Sequence, residues 1–298
     1  MTIAIDCALQ RKALLGESPV WSVKEKALYW VDIHRPSILR TDFSSGQTIE
    51  WPMPTNVGSI GLSAGGLVAA MRTGFALLDL SGKIVKTLGE PIAGTKDLRF
   101  NDGRVDPRGR FWAGTVQEKR VPGLAALYRL DADGRAQEMK SGFTVSNGTS
   151  WSPDGQTMYF ADSSVRKIYA FDFDADEGAI ANQRVFAEFA DNEGIPDGAT
   201  VDTDGCYWIA HFDGGKVTRY TPQGKVDRVI EMPVLRPTSC AFGGSDLRTL
   251  YVTSASFNLS DEQLRAAPLS GSIFALNTGA QGLPEPAFET SQLMEVHR

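Results

Sequence analysis

The chain has 298 residues, with 30 Lys and Arg against 36 Asp and Glu, a formal charge of −6. Apolar residues make up 42% and charged residues 22%, which excludes a disordered, collagen-like or coiled-coil chain. The acidic balance argues against nucleic acid as a partner, because phosphate binding needs a basic surface, and no apolar run approaches the ~20 residues of a membrane span.

The N-terminal segment MTIAIDCALQRKALLGE has no basic region followed by an apolar one, so it does not read as a secretory signal. Cys7, Cys206 and Cys240 are odd in number and lack metal-type spacing. Isolated thiols and a cytoplasmic location are the expectation. The 30 glycines and 6 tryptophans suit many short strands joined by tight turns.

A repeat then runs along the chain. Ile3–Leu14 reads as a lone strand. VWSVKEKALYWVD (Val20–Asp32) follows, then the hairpin ILRTDFSSGQTIEW. LSAGGLVAAMRTG (Leu62–Gly74) leads into FALLDLSGKIVKTL, and VDPRGRFWAGT (Val105–Thr115) into LYRLDADGRAQEM. WSPDGQTMYFADS (Trp151–Ser163) and VDTDGCYWIAH (Val201–His211) lead into IYAFDFDADEGAIANQRVFAEF and VTRYTPQGKVDRVIEM. FGGSDLRTLYVTS (Phe242–Ser254) precedes one helical turn at Ser260–Ala266 and a last hairpin, IFALNTGAQGLPEPAFE. Each unit holds an apolar step, an Asp/Gly turn, an aromatic-led strand and an alternating hairpin. Four strands per unit at a period of roughly 50 residues predict a six-bladed all-β propeller of antiparallel blades around a central channel, one domain over residues 1–298. Ile3–Leu14 is expected to join the last blade and close the ring.

The segments just before the aromatic strands are GESPVW, GSIGLS, FNDGRV, SNGTSW, PDGATV and PTSCAF. Their second residues are Glu17, Ser59, Asn101, Asn147, Asp197 and Thr238. Equivalent starts of innermost strands converge on one mouth of the channel. Glu17, Asn101, Asn147 and Asp197 then form an all-oxygen set suited to Ca²⁺, Mg²⁺ or Mn²⁺. Asp197 is also placed to accept a proton from water. Arg99 is placed to bind substrate oxygens. The ends of the second strands bring Asp162 and His211 to the same face, His211 as a substrate contact. Cys240 has no positioned base and does not read as a nucleophile.

At LGESPVW, RFNDGRVDPRGRFWAGT, SNGTSWSPDGQTMYFADS and PDGATVDTDGCYWIA the chain resembles the regucalcin/gluconolactonase (senescence marker protein-like) family of six-bladed sugar lactonases. The resemblance implies a divalent-metal-dependent lactonase with Glu17, Asn147 and Asp197 as metal ligands and Asp197 as general base. It implies Arg99 and Asn101 as substrate contacts. It also implies a carboxylate on the rim segment VQEKRVPG, where Glu118 stands next to Lys119. The cofactor it implies is one divalent ion, Ca²⁺ first, with Zn²⁺, Mg²⁺ and Mn²⁺ as alternatives. The expected partner is a small sugar lactone, and the expected state a monomer or weak homodimer. A phosphoester or organophosphate hydrolase on the same site, and a non-catalytic metal-binding propeller, remain as alternatives.

Overall fold

The computed structural model describes residues 3–290. After β1 (Ile5–Leu9), the first blade is β2 (Gly16–Ser22), β3 (Ala27–Asp32), β4 (Ser37–Asp42) and β5 (Gln47–Pro52). The second is β6 (Val57–Ser63), β7 (Gly66–Met71), β8 (Phe75–Asp79) and β9 (Ile84–Thr87). The third is β10 (Leu98–Val105), β11 (Phe111–Gln117), β12 (Ala125–Leu130) and β13 (Ala136–Phe143). The fourth is β14 (Ser146–Trp151), β15 (Thr157–Asp162), β16 (Lys167–Asp174) and β17 (Ala179–Glu188). The fifth is β18 (Ile195–Val201), β19 (Tyr207–Phe212), β20 (Lys216–Tyr220) and β21 (Val226–Glu231). The sixth holds β22 (Pro237–Gly243), β23 (Thr249–Ser254) and β24 (Ile273–Asn277), with α1 (Asp261–Ala266) between the last two. These sheets are the six blades of a β-propeller. β1 pairs antiparallel with β24 as the outermost strand of the sixth blade, Ile5 facing Leu276. The ring is thus closed by the chain's own first strand, as expected. Ser260 caps α1 in a reciprocal capping box with Gln263.

The last predicted hairpin does not form. Pro284 and Pro286 lack the N–H groups a paired strand needs, and β1 already holds that edge. The segment instead crosses under the ring. Gly282 bridges to Asp202, and β25 (Ala287–Phe288) pairs parallel with β6. Residues 291–296, which follow it, lie outside the described residues.

Inner strands are buried on both faces, while the outermost strands are mostly exposed. The core therefore lies in the seams between blades. One hydrophobic cluster fills each of the six seams, for example Trp21, Trp30 and Tyr251 between the sixth and first blades.

The repeated Val-Asp turn has a structural cause. Asp202 is fully buried and accepts the Asp204 and Cys206 N–H groups at 3.0 Å each. It also takes the Trp208 indole N–H at 2.8 Å and the Arg219 Nε at 2.8 Å. Asp106 serves Trp112 and Arg110 in the same way. One carboxylate closes the turn, anchors the aromatic and satisfies a guanidinium. Asp202→Ala is expected to cost about 1–3 kcal/mol in urea unfolding, because it leaves a buried indole N–H and the turn N–H groups without an acceptor, while Arg219 keeps Asp204 and Asp227. Asp204→Ala, which removes only an exposed arm of Arg219, should cost under about 0.5 kcal/mol.

Candidate active site

Every innermost strand carries a bulge near its start. Pairing is interrupted between Glu17 and Val20, Val57 and Ser59, and Phe100 and Gly103. It is interrupted again between Asn147 and Ser150, Pro196 and Ala199, and Pro237 and Cys240. A bulge re-aims a side chain out of the alternation of a regular strand. The Asn-Gly and Asp-Gly steps that resemble turn signals thus belong to strands. Gly148 follows Asn147 with φ 63°, and a Cβ there would stand 2.3 Å from the Tyr207 hydroxyl. A Cβ on Gly198, after Asp197, would meet Ser239 Oγ at 2.1 Å.

These bulges bring Glu17, Arg99, Asn101, Asn147 and Asp197 into one cavity of about 200 Å³. Glu118, His34, Arg120, Phe212 and Phe257 complete its mouth. Glu17 and Asp197 are 7% and 6% exposed. Among the described residues Glu17 accepts only the N–H of Ser18, at 3.1 Å. Asp197 accepts no hydrogen bond among the described residues. Burial, with the Asp102 charge behind it, pushes the Glu17 carboxyl up to about 8. Burial and then the Glu17 and Asp102 charges hold Asp197 well above the usual carboxylate range.

A chain of hydrogen bonds fixes the neutral members. Arg99 donates to Asn101 Oδ1 at 2.7 Å, and Asn101 Nδ2 donates to Asn147 Oδ1 at 2.9 Å. Asn147 Nδ2 donates to Ser163 Oγ at 2.7 Å, and that hydroxyl donates to the Pro196 carbonyl at 2.6 Å. The amide of Asn147 is therefore oriented, and its oxygen keeps a spare lone pair. Arg99 is pulled down to about 10 by burial but stays cationic at neutral pH.

A divalent cation fits this donor set. Among the described residues the two buried acids accept one hydrogen bond in total, a locked amide oxygen lines the same cavity, and all are hard oxygens. Among the described residues no group of three or more His, Cys, Asp and Glu side chains could hold a metal ion. The fitting set is two acids and an amide.

Glu118, rather than Lys119, faces the cavity. Glu118 holds Arg72 at 2.6 Å and stands 3.8 Å from Arg99, whereas Lys119 pairs with Asp97 at 2.7 Å. Ser59 and Thr238, at equivalent repeat positions, stay off the cavity wall. So does Asp162, which clamps the Thr144 and Val145 N–H groups. His211 corrects the sequence expectation of a substrate contact. It is 1% exposed, stacked on Phe189 at 3.9 Å, with Nδ1 donating to the Glu193 carbonyl at 2.9 Å. Its position at the strand end turns the ring between blades instead of into the cavity. Cys240 is fully buried, and burial pushes its thiol up, so it supplies no nucleophile. Sequence reading missed His34, Arg120 and Ser163. The first two sit on connections with no repeat equivalent, and Ser163 acts only through Asn147 and Pro196.

Below the cavity the axis is filled. Arg104 reaches across to Thr200 Oγ1 at 3.0 Å and the Cys240 carbonyl at 3.3 Å. It stands 3.6 Å from Glu285 of the crossing segment. The site opens on the other face.

A six-bladed propeller with acids and amides of four blades converging at one mouth defines a class of small-molecule-binding propellers. The SMP-30/gluconolactonase/LRE-like region model matches residues 15–256, and the chain belongs to that family. It is 43% identical to 6-deoxy-6-sulfogluconolactonase of Pseudomonas putida over 97% of this chain and 99% of that protein. It is 37% identical to Gallus gallus regucalcin over 96% of this chain and 99% of that one. The solved structure of a calcium-binding regucalcin from Agrobacterium tumefaciens superposes with TM-score 0.91 at 28% identity, covering 97% of this chain and 98% of the other. A Xanthomonas campestris gluconolactonase shares the fold, with TM-score 0.75 at 22% identity over 95% and 90% of the chains.

Burial lowers His211 to about 4, so the ring is neutral in the folded protein. An unfolded histidine protonates near 6.5. This group's contribution is therefore complete above about pH 6.5 and is lost as pH falls toward about 4. Unfolding free energy should decline over that window, and His211→Gln should flatten the decline, by at most about 1.4 kcal/mol per pH unit. Chemical denaturation at a series of pH values checks this.

Proposed function

We propose that this protein is a divalent-metal-dependent lactonase that opens sugar lactones to aldonic acids. The observation that carries the reading is the Glu17–Asn147–Asp197 set, in which two buried carboxylates accept one hydrogen bond in total among the described residues, beside a locked amide oxygen. A relative named for a lactone substrate, 43% identical over 97% of this chain, supports it. Glu17, Asn147 and Asp197 would hold the cation. When bound, the ion supplies Lewis-acid polarisation of the lactone carbonyl and offsets charge on its oxygen. Its expected identity is Ca²⁺, with Zn²⁺, Mg²⁺ and Mn²⁺ as alternatives.

The chain's own residues do the rest. Asp197 receives no competing N–H or O–H, so its oxygen is open to the proton of an attacking water. Arg99 and Asn101, tied together at 2.7 Å, present a rigid cation and amide to ring hydroxyls and to negative charge developing in the transition state. Glu118 holds Arg99 and Arg72 at the rim and accepts from a substrate hydroxyl. Leu15, Val116, Val145 and Phe257 line the cavity with apolar surface and exclude bulk water.

With a sugar lactone and excess Ca²⁺ or Mn²⁺, Asp197→Asn should lower kcat by about 10²–10⁴-fold in a pH-indicator assay, with the fold retained by circular dichroism. Full activity in that variant would remove Asp197 as the base. Treatment with a chelator should abolish turnover and lower Tm, and readdition of the ion should restore both. Turnover that persists through exhaustive chelation would rule out the metal-dependent reading.

A further inference from the structure

Among the described residues, one cation at the cavity has no ion-pair partner. Arg72 and Arg99 share Glu118, and Lys119 holds Asp97. Arg120 lines the same cavity, yet its guanidinium has no ion pair or hydrogen bond among the described residues. The two acids at the base, Glu17 and Asp197, are the ones assigned above to a divalent ion.

The backbone under Arg120 is fixed. Its φ of 59° lies in the left-handed region, which is costly for a residue with a side chain. The Arg120 N–H donates to the Gln117 carbonyl at 2.8 Å, and the buried Gln117 side chain accepts the Val121 N–H at 2.9 Å. Glu118 N–H is held by the Asp97 carbonyl at 2.8 Å. A pinned turn thus carries an unpartnered head. The Arg120 charge is felt at both Asp197 and Arg99, lowering each, so it acts within electrostatic range of the reacting centre. His34 also lines the mouth, its ring tilted against Phe257 with the ring centres 4.5 Å apart. Burial lowers its pKa, which favours the neutral ring.

We propose that Arg120 is a specificity-determining residue that binds an anionic group on the lactone, at a carbon remote from the carbonyl. The group is a sulfonate, phosphate or carboxylate, each of which matches the guanidinium fork. The inference rests on the lactonase reading. Its geometry is that of a buried reacting end, Glu17 and Asp197, beneath an exposed rim that holds Arg120. A ring whose carbonyl lies against the base turns its far substituent toward the rim. A neutral lactone there leaves Arg120 uncompensated, whereas an acid-bearing one supplies the missing charge.

The test uses glucono-1,5-lactone and counterparts with a sulfonate, phosphate or carboxylate at carbon 6, with saturating cation and correction for spontaneous opening. The wild-type chain should prefer at least one anionic lactone by about tenfold or more in kcat/KM, as a charge-assisted hydrogen bond provides. The arm that leads identifies the anion. Arg120→Gln should lower that preference about tenfold to a hundredfold, mainly through KM, and Arg120→Lys should recover part of it. Added salt should raise KM for the anionic substrate more than for the neutral one. Equal use of neutral and anionic lactones by the wild type overturns the proposal, as does an Arg120→Gln loss that falls equally on both. If the neutral lactone alone is opened, the lactonase reading stands and the role of Arg120 falls. If none of the four is opened with cation present, both fall.

Discussion

Two carboxylates held out of water beside each other set the terms for this molecule. Glu17 and Asp197 are almost fully buried, and among the described residues Glu17 accepts one N–H and Asp197 none. Like charges in that state repel, and each costs free energy to keep ionised. Such an arrangement persists only where the surrounding structure enforces it and a positive species answers it. The fold meets the first condition with rigid inner strands. The second condition is what points to a cation, and through it to carbonyl chemistry.

The enforcement is mechanical. Each inner strand is packed between two blades and interrupted by a bulge where it reaches the cavity. Bulges aim the side chains, and glycines at Gly148 and Gly198 let neighbouring strands come close behind them. The relay from Arg99 through Asn101, Asn147 and Ser163 to the Pro196 carbonyl ties three blades together. A displacement in one blade is therefore felt by the amide oxygen of the next. On the far side, Arg104 and the crossing segment fill the axis, so the cavity is a cup and not a through-channel.

Acids of the repeat divide into two kinds by what they touch. Asp106 and Asp202 are fully buried, but backbone N–H groups, an indole and a guanidinium surround each of them. Asp32 and Asp162 likewise clamp loop N–H groups. These carboxylates hold the fold. Among the described residues Glu17 has one donor and Asp197 none, and that poverty of donors sets them apart from the structural acids more sharply than burial does.

Much of this was legible in the chain. The period, the closing strand, the capped helix and the positions Glu17, Arg99, Asn101, Asn147 and Asp197 all follow from repeat arithmetic, because equivalent positions in a propeller converge by symmetry. Symmetry says nothing about residues outside the repeat. That is why Arg120 and His34 went unread, and why Glu118 could not be separated from Lys119 until the turn between β11 and β12 was folded. Repeat position also over-reached at His211, since it fixes where a Cα lies and not which seam the ring enters. The sequence determined the ring and the acids at its axis, because both are set by periodic local pattern. Only the tertiary structure decided which acids are poor in donors and which arginine lacks a partner among the described residues, because hydrogen bonding among distant blades is a property of packing.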